Sequence, residues 1–184
     1  MVYKNKTWYK DFSETLDKGE IGESAFIQLA KGLDNVVVYD CRKFDFCRKR
    51  DIDFIIFIYD EDDKIDCKLI EIKTEYSYGK YSKDMQRFWI EDISSQKQNS
   101  DGWFRYCSCD IMVNVDAINN VMYMFDFNGL KTYIDLYYGN DSKRVDYKKL
   151  EYGSTAYVVN IQLFLKWLED NGKYYKIVDM KEVI

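Results

Sequence analysis

Asp53, Glu71 and Lys73 are the residues of this chain whose types and spacing could do chemistry. Two carboxylates held side by side repel, and both stay ionised only when a cation lies between them. Hard carboxylate oxygens, with water completing the shell, suit Mg²⁺ or Mn²⁺. A lysine beside them can orient or deprotonate a water and stabilise charge developing on a phosphate. Those are the parts that metal-assisted hydrolysis of a phosphodiester requires. The plainer reading of the same residues is a solvated hairpin in which Glu71 and Lys73 form an ordinary ion pair.

The elements that must position them are a hairpin and a helix. Asp53-Phe-Ile-Ile-Phe-Ile-Tyr59 is apolar on both faces after its first residue, as a strand inside a sheet should be. Lys68-Leu-Ile-Glu-Ile-Lys-Thr74 reads as its partner, joined through the acidic turn 60–64. Side chains on a strand alternate faces, so Glu71 and Lys73 share one face and Ile70 and Ile72 the other. Strands paired with offset ends place Asp53 beside Glu71. Upstream, Ile21, Ala25 and Leu29, with Phe26 and Ala30, make an apolar stripe at helical spacing over about 17–31, ended by Gly32. Glu20 and Glu23 lie on that helix. For either of them, an acid favoured near a helix N-terminus is the bland reading.

A helix-borne Glu, then an Asp, then Glu-x-Lys resembles the PD-(D/E)XK nuclease superfamily, the restriction-endonuclease-like fold. The matching residues are Glu23, Asp53, Glu71 and Lys73, and the resemblance spans about 17–116. Ile52 stands where the motif's Pro would be. The resemblance implies an α/β (α+β) fold: a mixed central sheet with an αβββαβ core flanked by helices, here with a C-terminal strand and helix added. It also implies divalent-metal-dependent cleavage of nucleic acid. In it Asp53 and Glu71 bind the metal, Lys73 positions the attacking water, and Glu23 supports the metal shell. The superfamily often carries an auxiliary Lys, Arg or Gln on a helix before the fourth core strand. Gln96, Lys97 and Arg105 are available, with Asp101 as N-cap of a short turn through Arg105.

Composition narrows the chemistry. The 184 residues suit a single domain over 1–184, and 47% hydrophobic residues are enough for a full core. With no His, the chain cannot run a Ser-His-Asp triad or a His-dependent nuclease site, so metal chemistry must rest on carboxylates. A net charge of −5 argues against nonspecific DNA binding, because phosphate contacts need Lys and Arg. Local basic runs remain at Arg42-Lys43, Arg48-Lys49-Arg50 and Lys143-Arg144. The first two flank the Asp53 strand and suit a phosphate backbone or a solvated loop equally. The five Cys lack zinc-site spacing and read as buried core thiols in a reducing cytoplasm; there is no apolar run of membrane length.

Along the rest of the chain, residues 1–15 read as an irregular lead and 36–39 as the first strand. Residues 40–50 are a charged connection. Thr74 extends the Glu71 strand, where its hydroxyl can hold a water or a phosphate oxygen. Residues 76–84 read as a loop offering Lys80, Tyr81 and Lys83 to a substrate. Further strands are expected over 87–93, 107–115, 121–127 and 156–161. Helices are expected over 130–138 and 161–169, with loops over 94–102 and 139–154.

These features point to a Mg²⁺- or Mn²⁺-dependent nuclease acting on DNA, with RNA open, as an endonuclease or a junction or flap enzyme of phage or mobile-element type. Arg48, Lys49, Arg50, Thr74, Lys80 and Lys83 are its candidate substrate contacts. A homodimer suits that reading, since two cuts in a duplex need two sites. Two alternatives stand beside it. One is a catalytically silent protein of the same fold acting by protein binding, for example as a phage inhibitor of host defence, which an acidic surface rich in Tyr would suit. The other is a small-nucleotide hydrolase with a closed pocket.

Overall fold

The structure, a computed structural model, describes residues 7–62, 64–75, 87–96, 98, 100–150 and 153–182. The chain opens with helix α1 (Thr7–Lys31), ten residues longer at its start than the apolar stripe indicated. No Pro or Gly stands between Thr7 and Lys18, so nothing in that stretch terminates a helix. Glu20 and Glu23 therefore lie well inside α1, and the expectation of a favourable N-terminal charge fails for both. Strand β1 (Val36–Asp40) follows, then a short helix α2 (Asp45–Arg48) inside the charged connection.

Strands β2 (Phe54–Tyr59) and β3 (Ile65–Glu75) form the expected antiparallel hairpin. Its turn is held by Asp60, whose Oδ1 accepts from the N–H groups of Asp62 and Lys64, each at 2.9 Å. Next come β4 (Arg87–Ser95), β5 (Ser100–Asp101) and helix α3 (Trp103–Tyr106). Strands β6 (Ile111–Asp116) and β7 (Val121–Asp126) make the second hairpin. Helix α4 (Phe127–Tyr137) begins three residues earlier than expected, because Asp126 caps it by accepting from Gly129 N–H at 2.8 Å. The chain ends with β8 (Val145–Lys149), β9 (Thr155–Asn160), α5 (Ile161–Asp170), β10 (Tyr175–Asp179) and a 3-10 turn (Met180–Glu182).

A six-stranded mixed sheet, ordered β1-β2-β3-β6-β7-β10, forms the centre. Only β3 and β6 run parallel; the other pairings are antiparallel. A parallel pair needs a long crossover. Here the crossover carries part of a second, antiparallel sheet ordered β5-β4-β9-β8, together with the four-residue α3. The fold is thus the expected mixed α+β class, with a second sheet added. Two expected loops contain strands: 94–102 holds the end of β4 and β5, and 139–154 holds β8. Strand β10 had not been foreseen.

The two faces of the central sheet bury different partners. Phe26 and Ala25 of α1 pack on Phe54, Ile56, Ile70, Ile72, Val113 and Val115. Met112, Tyr123 and Phe125 face the other way, against Phe88 and Ile90 of β4 and the inner sides of α4 and α5. All six residues of β6 are buried, as expected of a strand covered on both faces. Gly22 lets α1 lie close to the sheet: a Cβ there would overlap Thr74 Oγ1 and come within 3.1 Å of Val115 Cγ2. Gly22→Ala gains roughly 1 kcal/mol of helix propensity but forces a shift in a packed contact costing about 1–3 kcal/mol. The expected result is a net loss of about 1 kcal/mol in thermal unfolding, with Glu23 displaced. No helix among the described residues is long and apolar enough to cross a membrane.

Candidate active site

The β2–β3 register pairs Phe54 with Ile70, which sets Asp53 opposite Glu71. Asp53 N–H donates to the Ile70 carbonyl at 2.9 Å, and Asp53 Oδ2 accepts from Ile72 N–H at 2.9 Å. Glu71 is only 2% exposed. Its Oε1 lies 2.5 Å from Lys73 Nζ, while its buried Oε2 has no hydrogen-bond partner. Lys73 Nζ lies 2.6 Å from Asp51 Oδ2 and 5.0 Å from the centre of the Trp103 ring. The three residues expected from the sequence are therefore brought together.

Several groups around them were not anticipated. Asp51 closes the turn after α2 and pairs with Lys73 as a second carboxylate beside Glu71. Glu91 of β4 lies within electrostatic range of Lys73 and Asp51. Tyr106 of α3 lies within range of Asp51, Lys73, Glu91 and Glu71. α3 is tucked against β4 through Gly102, whose N–H donates to the Asp92 carbonyl at 2.8 Å and where a Cβ would overlap the Glu91 backbone. Thiols brace the segment that carries both aspartates. Cys41 Sγ donates to the Asp53 carbonyl at 3.3 Å, and Cys107 Sγ to the Asp51 carbonyl at 3.5 Å. Cys41, Cys47, Cys107 and Cys109 are buried as expected, but Cys67 is exposed on β3.

Among the described residues the site's carboxylates outnumber its cations. Lys73 is within electrostatic range of Asp51, Glu71, Asp53 and Glu91, and the Arg42 guanidinium is within range of Asp53 and Glu23. Burial pushes the Glu71 carboxyl well above its usual range, only partly offset by Lys73, and Asp53 pushes it further. Asp53 and Glu91 are raised by burial too, against the pull of Lys73 and of backbone N–H donors. Burial would lower Lys73, but Glu71 and Asp51 outweigh it and hold the ammonium charged. A charged Lys73 donates hydrogen bonds and does not accept a proton, which narrows its expected role to orienting water and stabilising charge.

Glu23 reaches the site from α1, where its carboxylate meets the Arg42 guanidinium. Burial raises its pKa, Arg42 lowers it, and Asp53 raises it again, so Asp53 is within electrostatic range. Arg42 also grips Asp40, with Nη2–Oδ2 at 2.6 Å and Nε–Oδ1 at 2.9 Å. Arg48, Lys49 and Arg50 are exposed on α2 and the turn leading to Asp51. Arg48 lies 3.7 Å from Asp45, and the Arg50 guanidinium sits 3.9 Å over the Phe46 ring. Thr74 shares the α1 face with Ile70 and Ile72, and its hydroxyl donates to the Gly19 carbonyl at 3.4 Å. It is therefore turned away from Glu71 and Lys73. Lys80, Tyr81, Lys83 and Lys97 lie outside the described residues.

Of the auxiliary candidates, Gln96 is exposed on the turn after β4. Arg105 is structural. Its Nε lies 2.7 Å from Asp92 Oδ1, and its Nη1 lies 3.1 Å from Asp101 Oδ1. Asp101 thus pairs with Arg105 and does not cap α3, whose N-cap is Gly102 with no side-chain bond. Asp92 is 4% exposed and also accepts from Tyr147 OH at 2.7 Å. Removing the guanidinium leaves a buried carboxylate short of donors, at a cost of about 1–3 kcal/mol. Arg105→Ala is expected to show that loss in denaturant unfolding.

The residues present fit a hard divalent cation. Glu71 Oε2 is a buried oxygen with no donor, next to a second carboxylate, in a site with more negative than positive charge. Mg²⁺ is commonly held by one or two carboxylates, with water and substrate phosphate completing the shell. Asp53 and Glu71 supply such a pair. Among the described residues no cluster of three or more His, Cys, Asp or Glu side chains converges on one metal position.

No protein-family model matches this chain, and no curated protein matches it. Among solved structures it is similar to a nuclease from a fusselovirus, with 12% identity and a TM-score of 0.36, over 94% of this chain and 99% of that one. An overlap so loose carries neither fold nor chemistry from one to the other.

Proposed function

We propose that this chain is a Mg²⁺- or Mn²⁺-dependent nuclease of the PD-(D/E)XK type that hydrolyses DNA phosphodiester bonds as an endonuclease or structure-specific enzyme. The observation that carries this reading is half-buried Asp53 set against buried Glu71, whose Oε2 receives no hydrogen bond, beside a lysine held in its charged form. A purely structural Glu71–Lys73 pair would require neither a buried Glu71 oxygen without a donor nor a second carboxylate beside it.

Asp53 and Glu71 would hold the metal, which when bound would supply Lewis-acid polarisation of a phosphoryl oxygen and of water. Lys73 donates N–H bonds to the attacking water and to the oxygen on which charge develops. Glu23, on α1 and within electrostatic range of Asp53, would support the metal shell. Arg48, Lys49 and Arg50, exposed on the segment leading to Asp51, suit contacts to the phosphate backbone, and their local charge offsets the net −5 of the chain.

A panel of linear duplex, single strand, flap, four-way junction and RNA, incubated with Mg²⁺, Mn²⁺ or EDTA, tests the proposal. Metal-dependent cutting of at least one DNA substrate is expected. Failure of the folded, metal-loaded protein to cut any of them would overturn it.

A further inference from the structure

Asp51 lies two residues before Asp53 and adopts a left-handed backbone with φ 52°. Its position is fixed from several sides. Asp51 N–H donates to the Arg48 carbonyl at 3.4 Å, Ile52 N–H donates to the Cys47 carbonyl at 3.1 Å, and Cys107 Sγ holds the Asp51 carbonyl at 3.5 Å. The neighbouring Ser108 N–H donates to the Arg50 carbonyl at 3.0 Å, tying the same turn to the irregular segment leading into β6, which is why the strand expected over 107–115 begins only at Ile111. The turn therefore delivers the Asp51 carboxylate to one place, 2.6 Å from Lys73 Nζ.

A left-handed turn position accepts Asn as readily as Asp. The backbone thus explains a short polar residue at 51 but not a charged one. The charge is explained by Lys73. A lysine ammonium has three N–H donors on a flexible stem. With Glu71 alone as partner, at 2.5 Å, that ammonium would follow Glu71 wherever the carboxylate turned. In the nuclease reading, Glu71 must share its oxygens with a cation and with Lys73. A second anchor, independent of the metal, is then needed to keep the ammonium in place.

We propose that Asp51 is the positioning residue for Lys73: its carboxylate takes one N–H of the ammonium, leaving another aimed at the water and phosphate while Glu71 engages the cation. The inference rests on the nuclease reading of the Asp53–Glu71 pair. Asp51 itself contacts neither metal nor substrate. The Trp103 ring, 5.0 Å from Nζ, bounds the ammonium on a further side.

Asp51→Asn keeps the turn conformation and removes only the charge; Asp51→Glu restores the charge on a longer arm. Two readouts are used with each, in the full chain. The first is the ¹H–¹⁵N correlation of the Lys73 ammonium, assigned by its disappearance in Lys73→Arg. It is expected to be protected from exchange in the parent protein, lost in Asp51→Asn and partly regained in Asp51→Glu. The second is steady-state cleavage. For Asp51→Asn, kcat is expected to fall about 10–100-fold, as for a misplaced catalytic group, with KM and Mn²⁺ affinity unchanged. An unchanged ammonium signal in Asp51→Asn would overturn the inference, as would an unchanged kcat. A loss of Mn²⁺ affinity as large as that of Glu71→Gln would also overturn it, by making Asp51 a metal ligand. If the parent protein cuts nothing, the nuclease reading fails, and the ammonium signal still decides whether Asp51 anchors Lys73.

Discussion

Glu71→Gln is expected to abolish metal-dependent cleavage, by about 10³-fold or more, and at the same time to stabilise the metal-free protein. The two effects share one cause. Glu71 is 2% exposed, burial drives its carboxyl well above the usual range, and its Oε2 has no donor. Without a cation, that charge is a cost. A neutral amide keeps an oxygen for Lys73 and can turn its N–H groups toward Asp53, so about 1 kcal/mol is regained, or roughly 2–4 °C in melting temperature. The sign of the pH dependence follows. A carboxyl whose folded pKa lies above its ordinary 4.5 contributes stability that is fully present below about that pH and is lost as pH rises through the folded value. Melting in EDTA from pH 5 to 8 should therefore show stability falling with pH in the parent protein and a flatter curve in Glu71→Gln. A steeper curve in the variant would contradict this.

Lys73→Ala should be equally inactive and should have the opposite effect on stability. It takes the ammonium away from buried Glu71 and half-buried Asp51, Asp53 and Glu91, and leaves the Glu71 carboxylate without its ion-pair partner. Removing one partner of a buried pair costs about 3–5 kcal/mol. Proton uptake by Glu71 relieves part of that, so about 3 kcal/mol, or roughly 6–12 °C, is expected. Lys73→Arg should not rescue cleavage. A planar fork cannot replace a compact ammonium held at 2.5 Å and 2.6 Å by two separate carboxylates. Thermal melts beside cleavage assays separate the two variants: similar loss of activity, opposite shifts in melting temperature.

How much of this was legible before the structure depended on how local each signal was. Period-two alternation and the apolar run at 54–59 sufficed to pair Asp53 with Glu71 and to put Lys73 on the same face. The stripe on α1 placed Glu23 on a helix, although the helix start was missed: Trp8, Phe12 and Leu16 already stand at helical spacing in the segment expected to be an irregular lead. Asp51 was invisible for a different reason. Its partner lies 22 residues away, and only the register of β3 against the turn brings them together. Thr74 shows the same limit in reverse. It neighbours Lys73 in sequence, but alternation turns its hydroxyl onto Gly19 of α1. Alternation alone contained that answer. Arg42 suited a phosphate contact and a solvated loop equally, and the structure gives it neither role: it is engaged by Glu23 and Asp40. Strands β8 and β10 escaped because each is a five-residue edge with few buried positions, whose pairing depends on distant partners.

The most direct test of the central claim is Mn²⁺ binding to the parent protein and to Asp53→Asn, followed by water-proton relaxation in the absence of nucleic acid. The parent is expected to bind Mn²⁺ at a site that Mg²⁺ competes for, and Asp53→Asn to lose that binding while remaining folded. Equal binding by both, or none by the parent, would contradict the assignment of the Asp53–Glu71 pair as a metal site.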